Sequence, residues 1–560
     1  MRSDPSDGGC SGLPEDILTG RELVIVSNRG PFSLYTGEDG ALRFQRGSGG
    51  LVTALLGLAG RFPSTWIASA ASDEDRAWKE GEAPLTEESG SGDSARIRLR
   101  FIDPTQEAYE GYYQVISNPL LWFLQHSIWD FAQSPTINQA TWRAWEEGYV
   151  QVNRLFADAV VAHVRGQNSA RGRGSAGGHS HDRGTLRRRR AIVMLQDYHL
   201  YLAPRMIRAQ IRRPGGPLGL LLTHFIHIPW PGPEDWGMLP ARMREPILSG
   251  LCAVDLLGFQ TRGDSLNFIR TCESLLPGAQ VNYRRGTVTL QNRVTHVRDF
   301  PISIDVDSVH EQCRAEETRQ YHAQLDEMAA GRKVILRIDR TEPSKNIVRG
   351  FQAYDEMLET HPEHRGAVQF WALLVPSRLE VEEYQDYINA IMSAAGAVNV
   401  KHGTSDWEPV RVLVGESYPR ALAALQRYDV LLVNPVADGM NLVAKEGPTV
   451  NERDGVLVLS ERAGAHQQLG AHALVVSPCD ISATADALHQ ALTMPAVERQ
   501  KRAAELRASV EREDIHAWMC WQLDEIQELL QAQQAQRARD KAGRAAPGGP
   551  AAGEAAQDGA

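Results

Sequence analysis

Arg340 and Lys345 stand five residues apart in RTEPSK, directly after the apolar run KVILRID (333–339). A guanidinium and an ammonium at the end of a buried strand can converge on one diphosphate, the first through its planar fork and the second as a point charge. The alternative is a pair of solvated surface cations. After another such run, YDVLLVNP (428–435), Asp438 opens DGMNLVAKE. Gly439 and Asn441 suit a turn into a helix whose first amides favour negative charge. Glu446 would share a helix face with Leu442 and Val443, where it could bond ribose hydroxyls or simply meet solvent.

Three further strand ends carry polar groups. ELVIVSN (22–28) ends in Ser27 and Asn28 with Arg29 directly after, and RGSGGLVTALLGLAG begins at Arg46. Gly47, Gly49 and Gly50 can open a helix onto a phosphate or form a tight turn. Asp197 ends AIVMLQD (191–197), placed to accept from sugar hydroxyls or to cap the next helix. His227 lies at the end of LGLLLTHFIHIP (218–229), where Pro229 and Pro231 fix the chain path. A satisfied core histidine is the other reading.

Cations, carboxylates and helix starts without a metal-ligand spacing suit sugar transfer from a nucleoside diphosphate, the positive groups stabilising the departing diphosphate. The sequence G-x-x-x-x-G-K-[ST] is absent, which argues against a P-loop kinase or ATPase. G-x-G-x-x-G does not follow the first strand, which argues against hydride transfer.

To bring these strand ends together, the chain must build sheets. Short β-branched runs, including also VQFWALLV (368–375) and GVLVLS (455–460), alternate with helical segments such as Thr141–Val164 and Val348–Thr360. Such alternation implies an α/β fold with parallel sheets covered on both faces. Two doubly wound domains facing a central cleft are the economical architecture, with ligands at the carboxyl ends of the strands. The expected division is a disordered tail over 1–20, an acceptor domain over 21–305, a nucleotide-sugar domain over 306–535 and a second tail over 536–560. The segment 166–190 carries seven arginines and one acidic residue. It reads as a surface insertion, with a nucleic-acid or partner-binding arm as the alternative.

The 560 residues are 42% hydrophobic and 23% charged, ordinary globular usage. The net charge of -11 argues against nucleic-acid binding by bulk electrostatics. The six cysteines lack a C-x-x-C pair, so neither a zinc site nor a disulfide framework is expected, in keeping with a reducing cytosol. Neither a membrane-spanning run nor a signal-peptide core is present, and a cytoplasmic location is expected.

From about Leu23 to Leu530 the chain resembles the trehalose-6-phosphate synthases, retaining glycosyltransferases of family 20. It carries SNRG, GSGGL, YYQVISNPLLW, QDYHL, HIPWP, DLLGFQT, PSR, DGMNLVAKE and VLVLSERAGA in the family's order. The resemblance implies the GT-B fold, two Rossmann-like domains, with the last helix crossing back to the first. It implies transfer of glucose from UDP-glucose or GDP-glucose to glucose 6-phosphate, giving α,α-trehalose 6-phosphate, without metal or cofactor. Gly50, Arg340 and Lys345 would then hold the donor diphosphate. Asp438, Gly439, Met440 and Asn441 would line the donor sugar, with backbone phosphate contacts from Leu442 and Val443, and Glu446 would hold the ribose. Asp197 and His227 would contact the sugars at the scissile bond, and Arg29, Tyr113, Trp122 and Arg378 the acceptor. Tyr113 and Trp122 also read as core aromatics, and Arg378 as a surface ion pair.

Three departures from the family pattern stand out. Asn346 follows Lys345 where glycine is common, Thr341-Glu342-Pro343 replaces an aromatic-containing stretch, and TWIASA around Trp66 lacks a second tryptophan. The competing readings are a synthase for another acceptor (glycerol 3-phosphate, or the cyclitol of validoxylamine-type enzymes) and a catalytically silent regulatory subunit. A homo-oligomer is left open.

Overall fold

The computed structural model describes residues 21–545, except for 38, 47–51, 53, 54, 57, 58, 60–62, 85–95, 131–133, 167–189 and 212–219. Gly50, nearly all of the arginine-rich segment, the first tail and residues 546–560 thus lie outside the described residues.

Among the described residues, a ten-stranded sheet has at its centre the parallel order Arg96–Ile102, Ser64–Ser69, Arg21–Val26, Arg190–Gln196, Leu220–Phe225, Leu256–Phe259, Arg293–Asp299. Antiparallel strands extend both edges: Glu80–Pro84 on one, Thr287–Leu290 and then Gln280–Asn282 on the other. The second sheet is parallel throughout, in the order Val410–Val414, Val368–Val375, Lys333–Arg340, Val430–Val433, Val456–Ser460, Leu474–Val476. Numbered along the chain, each parallel series opens in the order 3-2-1-4-5-6, the doubly wound arrangement. Its cause is visible in the side chains: Leu23, Val24, Ile25 and Val26 are at most 1% exposed, and Ile335 and Leu336 wholly buried, so helices must cover both faces.

The order also fixes where ligands go. Strands 1 and 4 are neighbours, but the chain leaves them toward opposite sides, which opens a crevice beyond their carboxyl ends. In the first sheet the crevice falls between the ends of Arg21–Val26 and Arg190–Gln196. In the second it falls between the ends of Lys333–Arg340 and Val430–Val433. The sequence-marked polar residues lie beside these two openings.

The segment between the sheets is tied from both sides. Gln260 Oε1 accepts from the Ile302 amide at 2.9 Å, and the wholly buried Lys445 donates to the Ile302 carbonyl at 2.7 Å. The helix Ile515–Ala545 starts at this segment, its Ile515 amide on the Ile304 carbonyl and Trp518 Nε1 on the Phe300 carbonyl at 3.2 Å. The Trp518 ring also meets Phe225 of the first sheet edge-on, with centroids 5.5 Å apart.

Two expectations need correction. The final helix continues through 536–545, where composition suggests a tail, because Ala, Gln, Arg and Lys are strong helix formers. Cys252, Cys272, Cys313 and Cys479 are free thiols, but Cys520 is disulfide-bonded. No helix among the described residues is long and apolar enough to cross a membrane.

Candidate active site

On the second sheet Arg340 is the last residue of its strand, and the turn Pro343–Lys345 follows with Pro343 presetting its first φ. Asn346 sits in the left-handed region at φ 59°, which explains how it stands where glycine is common: asparagine tolerates this conformation better than most residues. Its Nδ2 donates to the Asn434 and Pro478 carbonyls at 2.9 and 2.7 Å and locks the turn. Lys345 is thereby aimed across the crevice, and its Nζ meets Asp438 Oδ2 at 2.5 Å. Asn441 Nδ2 donates to the same oxygen at 3.1 Å while its Oδ1 accepts the Ala444 amide of the helix Val443–Val450. Burial alone would lower the Lys345 pKa, but the Asp438 and Asp339 carboxylates outweigh it and leave it raised.

Arg340 does not share a partner with Lys345. Its Nη1 pairs with Glu342 Oε1 at 3.1 Å while half of its side chain stays exposed. The same oxygen takes Arg378 Nη1 at 3.2 Å and the Ser377 hydroxyl at 3.2 Å. Glu342 is fully buried. Desolvation pushes its carboxyl up, but Arg340, then Arg378 and Lys345, more than reverse this and hold it at about 2. Its second oxygen has no partner.

Arg378 is not a surface residue: only 7% of its side chain is exposed. It also donates to Tyr384 and Tyr198 at 2.5 and 3.4 Å, and its guanidinium lies 4.2 Å from the centre of the Trp122 ring. Its backbone is held at φ 50°.

Across the cleft, Gly111–Trp122 forms a π-helical stretch, a form frequent at functional sites. Tyr113 is 8% exposed and stacks between Tyr109 and His199, centroids 5.5 and 5.9 Å away and both planes within 10°. Exposed Arg29 donates to the Tyr113 hydroxyl at 3.2 Å. Trp122 stacks on His126 at 3.9 Å. Both aromatics are therefore buried and in contact with a cation. Trp66, 1% exposed, donates to the Ser27 hydroxyl at 2.7 Å and steadies the turn carrying Arg29.

Asp197 has φ 68° and ψ 176°, a region almost reserved for glycine, so its position is strained. The carboxyl accepts from the His227 amide at 3.3 Å, and desolvation pushes its pKa to about 7. His227 has both ring nitrogens occupied. Gln260 already accepts with Oε1 from Ile302, so its Nε2 donates to His227 Nδ1 at 3.3 Å. That assigns the proton to Nε2, which donates to Gln196 Oε1 at 3.0 Å. Burial holds the ring neutral, its pKa lowered to about 3.

The two sheets' loops meet through backbone. A Cβ placed on Gly439 would lie 1.8 Å from the His227 carbonyl oxygen, and one on Gly464 would lie 1.8 Å from the Gly439 oxygen. Met440 is buried, and its carbonyl accepts the Ala465 amide at 2.9 Å. Leu442 caps and Val443 begins the helix that presents Glu446, which is half-buried and accepts from the Tyr418 hydroxyl at 3.1 Å.

The structure thus gathers around one cleft every sequence-marked residue that it describes. Glu342, Gln196, Gln260, His126 and Tyr384 were not singled out. Gln196 and Gln260 stand inside QDYHL and DLLGFQT, and Glu342 is the one acidic residue between Arg340 and Lys345, whereas nothing local marks His126 or Tyr384.

A family model described as glycosyltransferase family 20 matches residues 21–170 and 185–528, its gap falling inside the arginine-rich segment. The chain is 33% identical over 502 residues to a bifunctional trehalose-6-phosphate synthase/phosphatase of Thermoproteus tenax, covering 89% of this chain and 62% of that protein. It also spans 56% of a probable alpha,alpha-trehalose-phosphate synthase of Arabidopsis thaliana, so it covers less than two thirds of either protein. A Salmonella choleraesuis trehalose-6-phosphate synthase is 32% identical over 507 residues, covering 89% of this chain and 93% of that one. Among solved structures, one from E. coli bound with UDP-2-fluoro glucose superimposes with a TM-score of 0.74 at 28% identity, covering 91% of this chain and 99% of that one. A UDP-forming synthase from Burkholderia xenovorans in complex with glucose-6-phosphate gives 0.72 at 26%, covering 91% and 100%. With both sheets doubly wound around this cleft and the family model matching most of its length, the chain belongs to glycosyltransferase family 20 and has the GT-B fold.

Proposed function

We propose that the chain is a retaining glucosyltransferase that moves glucose from UDP-glucose or GDP-glucose to glucose 6-phosphate, forming α,α-trehalose 6-phosphate. The observation that carries this reading is the pairing of two cationic clusters across one cleft. Arg340 and Lys345 stand at the second sheet's crevice. Arg29 and Arg378 stand beside the Tyr113 and Trp122 rings. Two anionic substrates fit such a site. The UDP-forming names of the relatives favour uracil as the base.

In this reading Arg340 and Lys345 neutralise the diphosphate, aided by Gly50 and the Leu442 and Val443 amides at a helix start. Glu446 takes the ribose, and Asp438, Gly439, Met440 and Asn441 the glucose. Arg29 and Arg378 hold the acceptor phosphate. The bond from glucose C1 to the diphosphate oxygen breaks as the acceptor hydroxyl bonds C1 on the same face, and the acceptor proton passes to the departing diphosphate. His227 has no free nitrogen, so it shapes the pocket rather than carrying that proton. Asp197, whose carboxyl ionises as the pH passes about 7, then accepts from a sugar hydroxyl. Charge stabilisation is supplied by the chain's own cations, and we infer a cofactor-independent, cytoplasmic enzyme. Its two domains part at 305/306 and close to exclude water.

The test offers the purified chain glucose 6-phosphate with UDP-, GDP- and ADP-glucose separately and follows nucleotide release and product mass. A disaccharide phosphate that a phosphatase converts to trehalose supports the reading. Nucleotide release with glycerol 3-phosphate or a cyclitol instead moves the acceptor assignment, and no turnover with any donor favours a silent subunit.

A further inference from the structure

At the far end of the helix Ile347–Thr360 from the cleft, His361, Glu363, His364 and His489 converge. Fourteen residues of helix place this cluster about 20 Å from Lys345. The first three residues come from the short turn Pro362–His364 and the residue before it, with Pro362 restricting the path. His489 comes from the helix Ile481–Thr493, which packs along Ile347–Thr360.

The donor atoms are close to one another. His361 Nδ1 lies 3.2 Å from Glu363 Oε1, His489 Nδ1 4.0 Å from the same oxygen, and His364 Nε2 2.9 Å from His489 Nδ1. Ligand atoms of His361, Glu363 and His489 all fall within 4.8 Å of one another. A tetrahedral zinc ion with ligands at roughly 2.0–2.2 Å holds its donors about 3.4 Å apart, so these separations bracket the required value. The His361 and His489 rings are stacked, with centroids 3.5 Å apart and planes within 10°, so one ring must turn out of the stack to aim its nitrogen at a shared ion; His364, 7% exposed, abuts His489 at 5.2 Å. Two imidazoles and one carboxylate, with a fourth position open to water, suit zinc rather than magnesium or calcium.

We propose that His361, Glu363 and His489 form a site for a divalent transition-metal ion of the zinc class, with His364 positioning His489 by a hydrogen bond, at the joined ends of two packed helices of the second sheet's domain. The site is independent of the sugar-transfer reaction. Its ligands are hidden in the sequence because His489 stands far along the chain from His361 and Glu363.

The test uses the full chain without an affinity tag, stripped with a chelator and titrated with Zn²⁺ by calorimetry and with Co²⁺ by visible absorption. The expected result is one equivalent bound, intense tetrahedral Co²⁺ bands, and a Tm raised by Zn²⁺. In His361→Ala/His489→Ala, affinity should fall by about 100-fold or more, since metal-binding energy is shared over few ligands. The Tm rise should vanish, with glucosyl transfer unchanged. If the double variant fails to fold, Glu363→Gln, at a largely exposed side chain, replaces it and must weaken binding. Failure of the stripped wild-type chain to bind either ion, or binding unaffected by the substitutions, overturns the site. Because the readout is metal binding, either result is independent of whether the transferase reading holds.

Discussion

Glu342 and Arg378 form an ion pair from which water is nearly excluded, with 0% and 7% of the two side chains exposed. The Glu342 oxygen that takes Arg378 also takes Arg340. One carboxylate therefore sets the spacing between the cation proposed for the donor and the cation proposed for the acceptor. Thr341-Glu342-Pro343, a departure when read against the family pattern, is the segment that supplies it.

Glu342→Gln keeps the shape of this side chain and removes its charge, leaving Arg378 buried without a counter-ion. Breaking a buried pair from one side costs about 3–5 kcal/mol, so Tm should fall clearly. Folding lowers this carboxyl from 4.5 to about 2, so its stabilisation is complete above pH 4.5 and is lost as the pH falls through 2. The Tm difference between wild type and variant should shrink as the pH is lowered from 4.5 towards 2; a difference that stays constant would mean the charge is not what stabilises.

Arg340→Ala and Lys345→Ala should each lower kcat by about 100-fold or more, because the departing diphosphate loses a preorganised partner. Steady-state kinetics decide this, and near-normal kcat in both variants removes the diphosphate assignment.

Arg378→Lys keeps the charge but loses the planar fork that reaches Glu342 and Tyr384 and faces Trp122. KM for glucose 6-phosphate should rise by about 10-fold or more, the loss of one charge-assisted hydrogen bond, with the donor KM little changed. A rise confined to the nucleotide sugar places Arg378 on the other substrate.

Asp197, raised to about 7 by desolvation, should give kcat/KM an inflection near that pH, activity increasing as the carboxyl ionises. Asp197→Asn should lower activity and abolish the inflection. An unchanged pH profile assigns it to another group. Holding this acid above its ordinary 3.8 also means that stability declines between pH 3.8 and about 7, where only the unfolded chain is ionised.

Much of this was legible in the sequence because strand runs and strand ends are local. VQFWALLV matches the strand Val368–Val375 residue for residue, and GVLVLS, YDVLLVNP and KVILRID each contain a strand or all but its last residue. Arg340, Lys345 and Asp438 follow from position at those ends. Partnership was not legible. Nothing near Gln260 announces that it fixes the His227 tautomer from 33 residues away, and nothing in PSR announces that Arg378 is buried. Whether an arginine faces solvent or a buried carboxylate depends on which elements the fold stacks over it, and pattern reading is blind to that. The helix through 536–545 is hidden for a simpler reason: the Ala, Gly, Arg and Pro-rich composition from Gln536 onward suggests a tail, although its first ten residues are mostly good helix formers.

The close approach of His227, Gly439 and Gly464 turns two glycines into a test that needs no experiment. Any side chain at either position would strike peptide groups, which cannot swing aside as a flexible side chain can. In a related chain whose cations and acids are all intact, a substitution at position 439 or 464 would mark a copy whose cleft loops no longer pack as they do here. Genome readers sorting working enzymes from silent ones would do well to look at these two glycines before they look at the charged residues.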